Sequence, residues 1–247
     1  KLSSLILTHD CPLRCSYCHA GPKHERVMPA GLAPARGICR FFLKRAHPTF
    51  ELYMSPLNID PAAPAVPISS PRGYSRSLCE RFGPFHTQGI AEDTQALSNG
   101  VLSHEEYLHQ AWGIFHERQR IFEHELGRFR EGLFFHYVSC LDVNQHMLWW
   151  TIDAGHPLHR PGLAAKIGSA LDEFYAAADA IVGRVMEAAA PDDVIIVMSD
   201  HGFASFRRCF GLNDWLLRRG YLRLKPGAGR GGCEYPAAID WSQTQAY

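Results

Sequence analysis

The stretch Val194-Ile-Ile-Val-Met-Ser-Asp-His-Gly-Phe203 decides how this chain is read. Its first five residues are apolar and mostly β-branched, the pattern of a strand buried on both faces of a parallel sheet. The run ends at Ser199, Asp200, His201 and Gly202. Asp200 and His201 offer a carboxylate and an imidazole, ligand types that hold zinc or a similar divalent ion. Neighbours in a regular strand point to opposite faces, so both reach one ion only where the chain bends. Gly202 permits that bend. Ligands of open α/β sheets bind beyond the carboxyl ends of the strands. The bland alternative is a capped strand-to-loop turn.

A second pair lies upstream, in Gly132-Leu-Phe-Phe-His-Tyr-Val-Ser-Cys-Leu-Asp-Val-Asn-Gln-His-Met-Leu-Trp-Trp150. Leu133–Cys140 reads as another strand, rich in aromatic and β-branched residues. Asp142 and His146 follow, four residues apart. On a helical turn, positions i and i+4 share a face, so both side chains reach one ion. Alternatively Asp142 caps the helix and His146 merely lies on it. Two strands that each end in an Asp/His pair favour the metal reading.

With these residues in view, the chain resembles the alkaline phosphatase superfamily, in its type I phosphodiesterase and nucleotide pyrophosphatase branch. The resemblance rests on Asp142-x-x-x-His146 and the Ser199-Asp200-His201-Gly202 turn. It is supported by Met54–Asp60, His146–Trp149, Asp153–Pro157 and Leu212–Leu222, and runs from about Arg36 to Tyr247. It implies a partial alkaline-phosphatase-like α/β core with a mostly parallel central sheet flanked by helices. It also implies two divalent metal ions, zinc or manganese, with Asp142, His146, Asp200 and His201 among their ligands. The implied substrate is a small-molecule phosphate ester. The pattern also calls for an early Asp, a Ser or Thr nucleophile before Arg36 and a third His beyond Tyr247. None is found, so the domain is expected to be incomplete and its activity impaired.

The 247 residues suit one large domain or part of one. Apolar residues make up 46% and charged residues 20%, a globular balance. The 25 basic and 25 acidic residues cancel, so no strong field draws nucleic acid or an anionic membrane. No apolar run reaches the roughly 18 residues of a transmembrane helix, and Leu5–Leu7 is too short for the core of a signal peptide. Five scattered cysteines, Cys39, Cys79, Cys140, Cys209 and Cys233, do not form a disulfide framework. A reducing compartment, the cytoplasm, is expected.

Residues 1–28 read differently. Leu5–Thr8 is a short apolar strand, followed by Cys11-Pro-Leu-Arg-Cys15-Ser-Tyr-Cys18. Three thiolates at this C-x3-C-x2-C spacing suit three irons of a [4Fe–4S] cluster and leave the fourth open. The segment resembles the cluster loop of radical S-adenosylmethionine enzymes, which implies S-adenosylmethionine as a further cofactor. A zinc knuckle completed by His9 or His19 is the other metal reading. After Met28 comes Pro29-Ala-Gly-Leu-Ala-Pro34, a breaker-rich joint. The text beyond it is phosphodiesterase-like, and no barrel follows the cysteines. The chain is therefore expected to join two unrelated pieces, a cysteine-rich segment over 1–35 and the α/β domain over 36–247.

Elsewhere, Phe50–Met54 is a strand, Asp60–Pro71 an extended proline-rich loop and Tyr74–Phe82 a short helix. Ser103–Phe129 is a long helix opened by a Ser103/Glu106 capping box. Ala164–Ala189 is an amphipathic helix whose apolar side should pack on the sheet in a right-handed crossover. Leu212–Arg219 is another helix. His156 and His159 lie near the site by resemblance, with no motif that makes either a ligand. Three functions follow: a phosphodiesterase-type metallohydrolase, an iron–sulfur radical enzyme, or a non-catalytic α/β fragment.

Overall fold

Gly37–Arg45 (β2) is the strand on which the described sheet is assembled. The computed structural model describes residues 3–7, 36–229 and 236–247. Cys11, Cys15, Cys18 and Cys233 therefore lie outside the described residues. Ser3–Leu7 (β1), Glu51–Met54 (β3) and Asn58–Ile59 (β4) all pair with β2, each antiparallel. Phe42 stands opposite Tyr53, and the register shifts between Leu43 and Arg45. Ile38, Cys39 and Tyr53 are buried, while the Leu43–Leu52 pair is exposed. Among the described residues, the expected mostly parallel central sheet thus does not form. Short connections such as 46–50 reverse the chain, and parallel neighbours would need a crossover of a dozen residues or more.

The two segments expected to be ligand-bearing strands are likewise not strands. Val194–Met198 forms no strand. Ile195 is its least exposed side chain, at 40%, and no amide from 194 to 198 donates a backbone hydrogen bond among the described residues. β-Branched residues favour a strand only against a neighbouring strand, and the described strands pair elsewhere. Leu133–Cys140 has no helix or strand up to Val138 and enters a helix at Ser139. Its alternation is strand-like, with Leu133, Phe135 and Tyr137 exposed and Phe134, His136 and Val138 half-buried. The inward face packs on a helix instead of joining a sheet. The rings of Phe134 and His136 lie 5.9 and 4.5 Å from that of Phe122.

The chain divides into two compact units, Lys1–Phe203 and Ala204–Tyr247. The first holds Tyr74–Phe82 (α1), Thr94–Ser98 (α2), His104–Arg128 (α3), Ser139–Leu148 (α4), Pro161–Ile167 (α5) and Ala170–Ala188 (α6). The capping box forms at the start of α3, where Ser103 Oγ accepts from the Glu106 amide and Glu106 accepts from the Ser103 amide. Tyr107, Ala111, Ile114, Phe115 and Phe122 line the buried stripe of α3. Trp112 stacks on Phe174 of α6 at 4.1 Å and 10°.

The single helix expected over Ala164–Ala189 is broken between α5 and α6. A Cβ at Gly168 would lie 2.5 Å from the Ala164 carbonyl oxygen, so only glycine fits that turn. Phe174, Ile181, Ala177 and Val185 of α6 join the core built on α3 and α4. The apolar side of this helix therefore packs on helices, not on a sheet, and the expected crossover is absent among the described residues.

One charged network crosses this core. Glu117 of α3, 4% exposed, accepts from the His86 amide at 2.8 Å and faces His86 Nδ1 at 2.9 Å. It also pairs with the Arg40 guanidinium of β2. Strand, loop and helix are thereby tied at one carboxylate.

The second unit carries Leu212–Arg219 (α7), ended by Gly220 in the left-handed conformation at φ 80°. Leu216, Leu222 and Ile239 form its small core, and Leu224 bridges to Ile239. Among the described residues no helix is long and apolar enough to cross a membrane.

Candidate functional site

The site is built on α4. This helix buries Cys140, Val143, Asn144 and Leu148, at the i, i+3, i+4 and i+8 spacing of one face. Asn144 Nδ2 and Gln145 Nε2 donate back to the Cys140 and Leu141 carbonyls, and Tyr175 of α6 donates to Gln145 Oε1 at 2.6 Å. The Arg118 guanidinium donates to Ser139 Oγ at the helix start. With that face fixed, Asp142 and His146 stand together on the other. Asp142 lies in the first turn and His146 in the last, the ends where negative and positive charge each suit the helix dipole.

His146 Nε2 lies 3.4 Å from Asp142 Oδ1. His201 Nε2 approaches the same oxygen, at 3.6 Å. The two imidazole centroids are 6.5 Å apart. Asp142 Oδ1 is shielded from solvent and accepts no hydrogen bond among the described residues. Asp200 does not join this oxygen. Its carboxylate is 89% exposed, and its Oδ2 lies 3.8 Å from His201 Nε2. Of the four residues picked from sequence, Asp142, His146 and His201 meet at one atom, while Asp200 touches the group through His201.

The protonation pattern of His201 follows from its other nitrogen. Nδ1 lies 3.0 Å from the Gly202 carbonyl oxygen, which can only accept, so Nδ1 carries a proton. That leaves Nε2 turned toward the Asp142 carboxylate. The Gly202 hydrogen bond, followed by the negative charges of Asp200 and Asp142, raises the His201 pKa above its ordinary value.

Among the described residues, no group of three or more His, Cys, Asp or Glu side chains is placed to hold a metal ion. The groups around Asp142 Oδ1, one carboxylate and two imidazoles, are nevertheless of the kind a divalent ion takes. Two ligands about 2.0–2.1 Å from a tetrahedral ion stand about 3.4 Å apart. The observed separations are 3.4 and 3.6 Å, longer than an ordinary charged hydrogen bond.

His156 and His159 are used in their own loop. His156 Nδ1 accepts from the Leu158 amide at 3.1 Å, and His159 Nδ1 donates to the Trp150 carbonyl at 2.8 Å. Two aromatic residues given no role from sequence border the site instead. The Phe203 ring meets the His146 ring edge to face at 4.7 Å and Trp149 at 5.4 Å. The sequence offered only proximity to the two histidines, with no spacing rule behind it. Trp149 follows His146 by one helical turn, and Phe203 follows His201 by two residues.

No curated protein and no solved structure matches the chain. A family model described as type I phosphodiesterase / nucleotide pyrophosphatase matches residues 64–244. That range is most of the chain and includes Asp142, His146, Asp200 and His201. The chain belongs to the type I phosphodiesterase / nucleotide pyrophosphatase family.

Proposed function

We propose that the protein is a metal-dependent phosphoric ester hydrolase acting on a small phosphodiester or pyrophosphate. Asp142, His146, Asp200 and His201 are assigned as ligands of its divalent ions, two in number by family resemblance and zinc or manganese in kind. One observation carries the reading: a shielded oxygen, Asp142 Oδ1, without a hydrogen-bond partner among the described residues, is faced by two imidazole nitrogens at 3.4 and 3.6 Å. When bound, divalent ions polarise phosphoryl oxygens and lower the pKa of a coordinated hydroxyl. Asp142 supplies the negative charge at the centre of the cluster, and α4 holds His146 on its side. The Gly202 carbonyl keeps the proton of His201 on Nδ1, so that Nε2 is the nitrogen offered to the site.

Turnover by these residues is slow in this reading. Asp200 stands away from the oxygen the other three share, and no Ser or Thr is assigned as nucleophile, so attack falls to a solvent hydroxide. Assay of the full chain on bis(4-nitrophenyl) phosphate with zinc or manganese tests it. Metal-dependent turnover lost in Asp142→Asn supports the reading; turnover indifferent to metal and to that substitution defeats it.

A second reading concerns the other end of the chain. The spacing Cys11-x3-Cys15-x2-Cys18 alone favours a [4Fe–4S] cluster, with S-adenosylmethionine as the ligand of the open iron. Anaerobic reconstitution with iron and sulfide tests it. A visible charge-transfer band that persists in the triple Cys→Ser variant would remove it.

A further inference from the structure

We infer that Phe203 is a positioning residue: its ring is wedged against both imidazoles of the site and sets how they face Asp142. The inference rests on the metal-ligand reading of Asp142, His146 and His201 and adds a residue to it.

Three contacts converge on this ring. It meets His146 at 4.7 Å and 79°, His201 at 5.9 Å and 51°, and Trp149 at 5.4 Å and 37°. The steep angle at His146 is the edge-to-face arrangement that aromatic quadrupoles favour. His146 and Trp149 come from α4 and the 3-10 turn that follows it, Trp149–Thr151. His201 follows the bend at Asp200. Phe203 thus joins the two halves of the cluster, which the sequence places far apart.

Each imidazole needs such support. His146 is 61% exposed and His201 50% exposed. His146 is paired at Nε2 with Asp142 and has Phe203 as its nearest ring. His201 is tied at Nδ1 to the neighbouring Gly202 carbonyl, which fixes its tautomer and not its distance from α4. The Phe203 ring fills the space beside both. Ligand side chains held by surrounding packing keep the geometry that a metal requires, and loss of such support costs about tenfold or more in affinity. Phe203 is itself only half-buried, so its replacement leaves the core of α3, α4 and α6 intact.

The test compares the full-length chain with Phe203→Leu, which keeps bulk and removes the ring, and Phe203→Tyr, which keeps the ring. The metal-free readout is the mobility of the His146 and His201 rings by NMR relaxation. It is expected to rise in Phe203→Leu and to stay at the parent level in Phe203→Tyr. The second readout is Co²⁺ titration followed by visible absorption, with affinity about tenfold weaker in Phe203→Leu and restored in Phe203→Tyr. Equal ring mobility and equal Co²⁺ affinity in Phe203→Leu and the parent overturn the role of Phe203 while leaving the metal reading in place. Raised ring mobility in Phe203→Leu with no Co²⁺ binding by the parent upholds the positioning role and overturns the metal reading.

Discussion

His201 Nε2 stands 3.6 Å from Asp142 Oδ1, although one residue follows a segment outside any helix or strand and the other sits on α4. This contact joins the two Asp/His pairs and has consequences in pH. The His201 pKa is raised above the usual 6.5, first by the Gly202 carbonyl and then by Asp200 and Asp142. In the metal-free chain, its pairing with the carboxylates therefore adds stability that is fully present below pH 6.5 and fades as pH rises through the raised value. Divalent binding has the opposite sign, because Nε2 must lose its proton to coordinate. Zinc affinity measured from pH 6 to 8 is expected to climb, and His201→Ala should flatten the climb.

Glu117 gives a second pH dependence. Burial pushes its carboxyl pKa up, but the hydrogen bond and charge of His86, with the Arg40 guanidinium, outweigh this and leave it below the usual 4.5. The stability it contributes is present above pH 4.5 and lost as pH falls through the depressed value. Glu117→Gln removes the carboxylate charge that faces the partly exposed Arg40, at a cost of roughly 1–3 kcal/mol near neutral pH. Urea unfolding of parent and variant should show that difference at pH 7 and a narrowing gap below pH 4.5.

Ser103 closes the first turn of α3 through the capping box. Ser103→Ala is expected to destabilise the protein by about 1 kcal/mol, read as a lower denaturation midpoint with an unchanged urea slope. Ser103→Asp, which keeps an acceptor at the cap, should recover most of the loss.

Val194–Met198 is uncharged, mostly β-branched and exposed, and its amides make no backbone hydrogen bond among the described residues. Such a segment is a template for intermolecular strand pairing. Ile196→Lys is expected to slow aggregation on heating, followed by light scattering, while shifting stability by less than about 0.5 kcal/mol.

What the sequence made legible was local. The Asp142/His146 spacing, the Ser103/Glu106 cap and the Leu212–Arg219 helix each depend on residues within a turn or two, and all three stand in the structure. The apolar run Val194–Met198 also expressed a local preference, but a strand needs an edge to pair with, and that information lies elsewhere in the chain. Leu133–Val138 kept the alternation of a strand and satisfied its inner face against Phe122 of α3. The antiparallel sheet around β2 and the break at Gly168 depend on close approaches that periodicity does not record. Phe203 was invisible as a site residue for the same reason. Its role arises from contacts with His146 and Trp149, which no spacing rule connects.

The central claim is that Asp142, His146 and His201 together hold a divalent ion. Calorimetric titration of the chelator-treated full chain with Zn²⁺, beside Asp142→Asn, tests it most directly. The account predicts saturable binding by the parent and a loss of at least about tenfold in affinity on removing the shared carboxylate charge. No saturable binding by the parent, or equal affinity in Asp142→Asn, would contradict it.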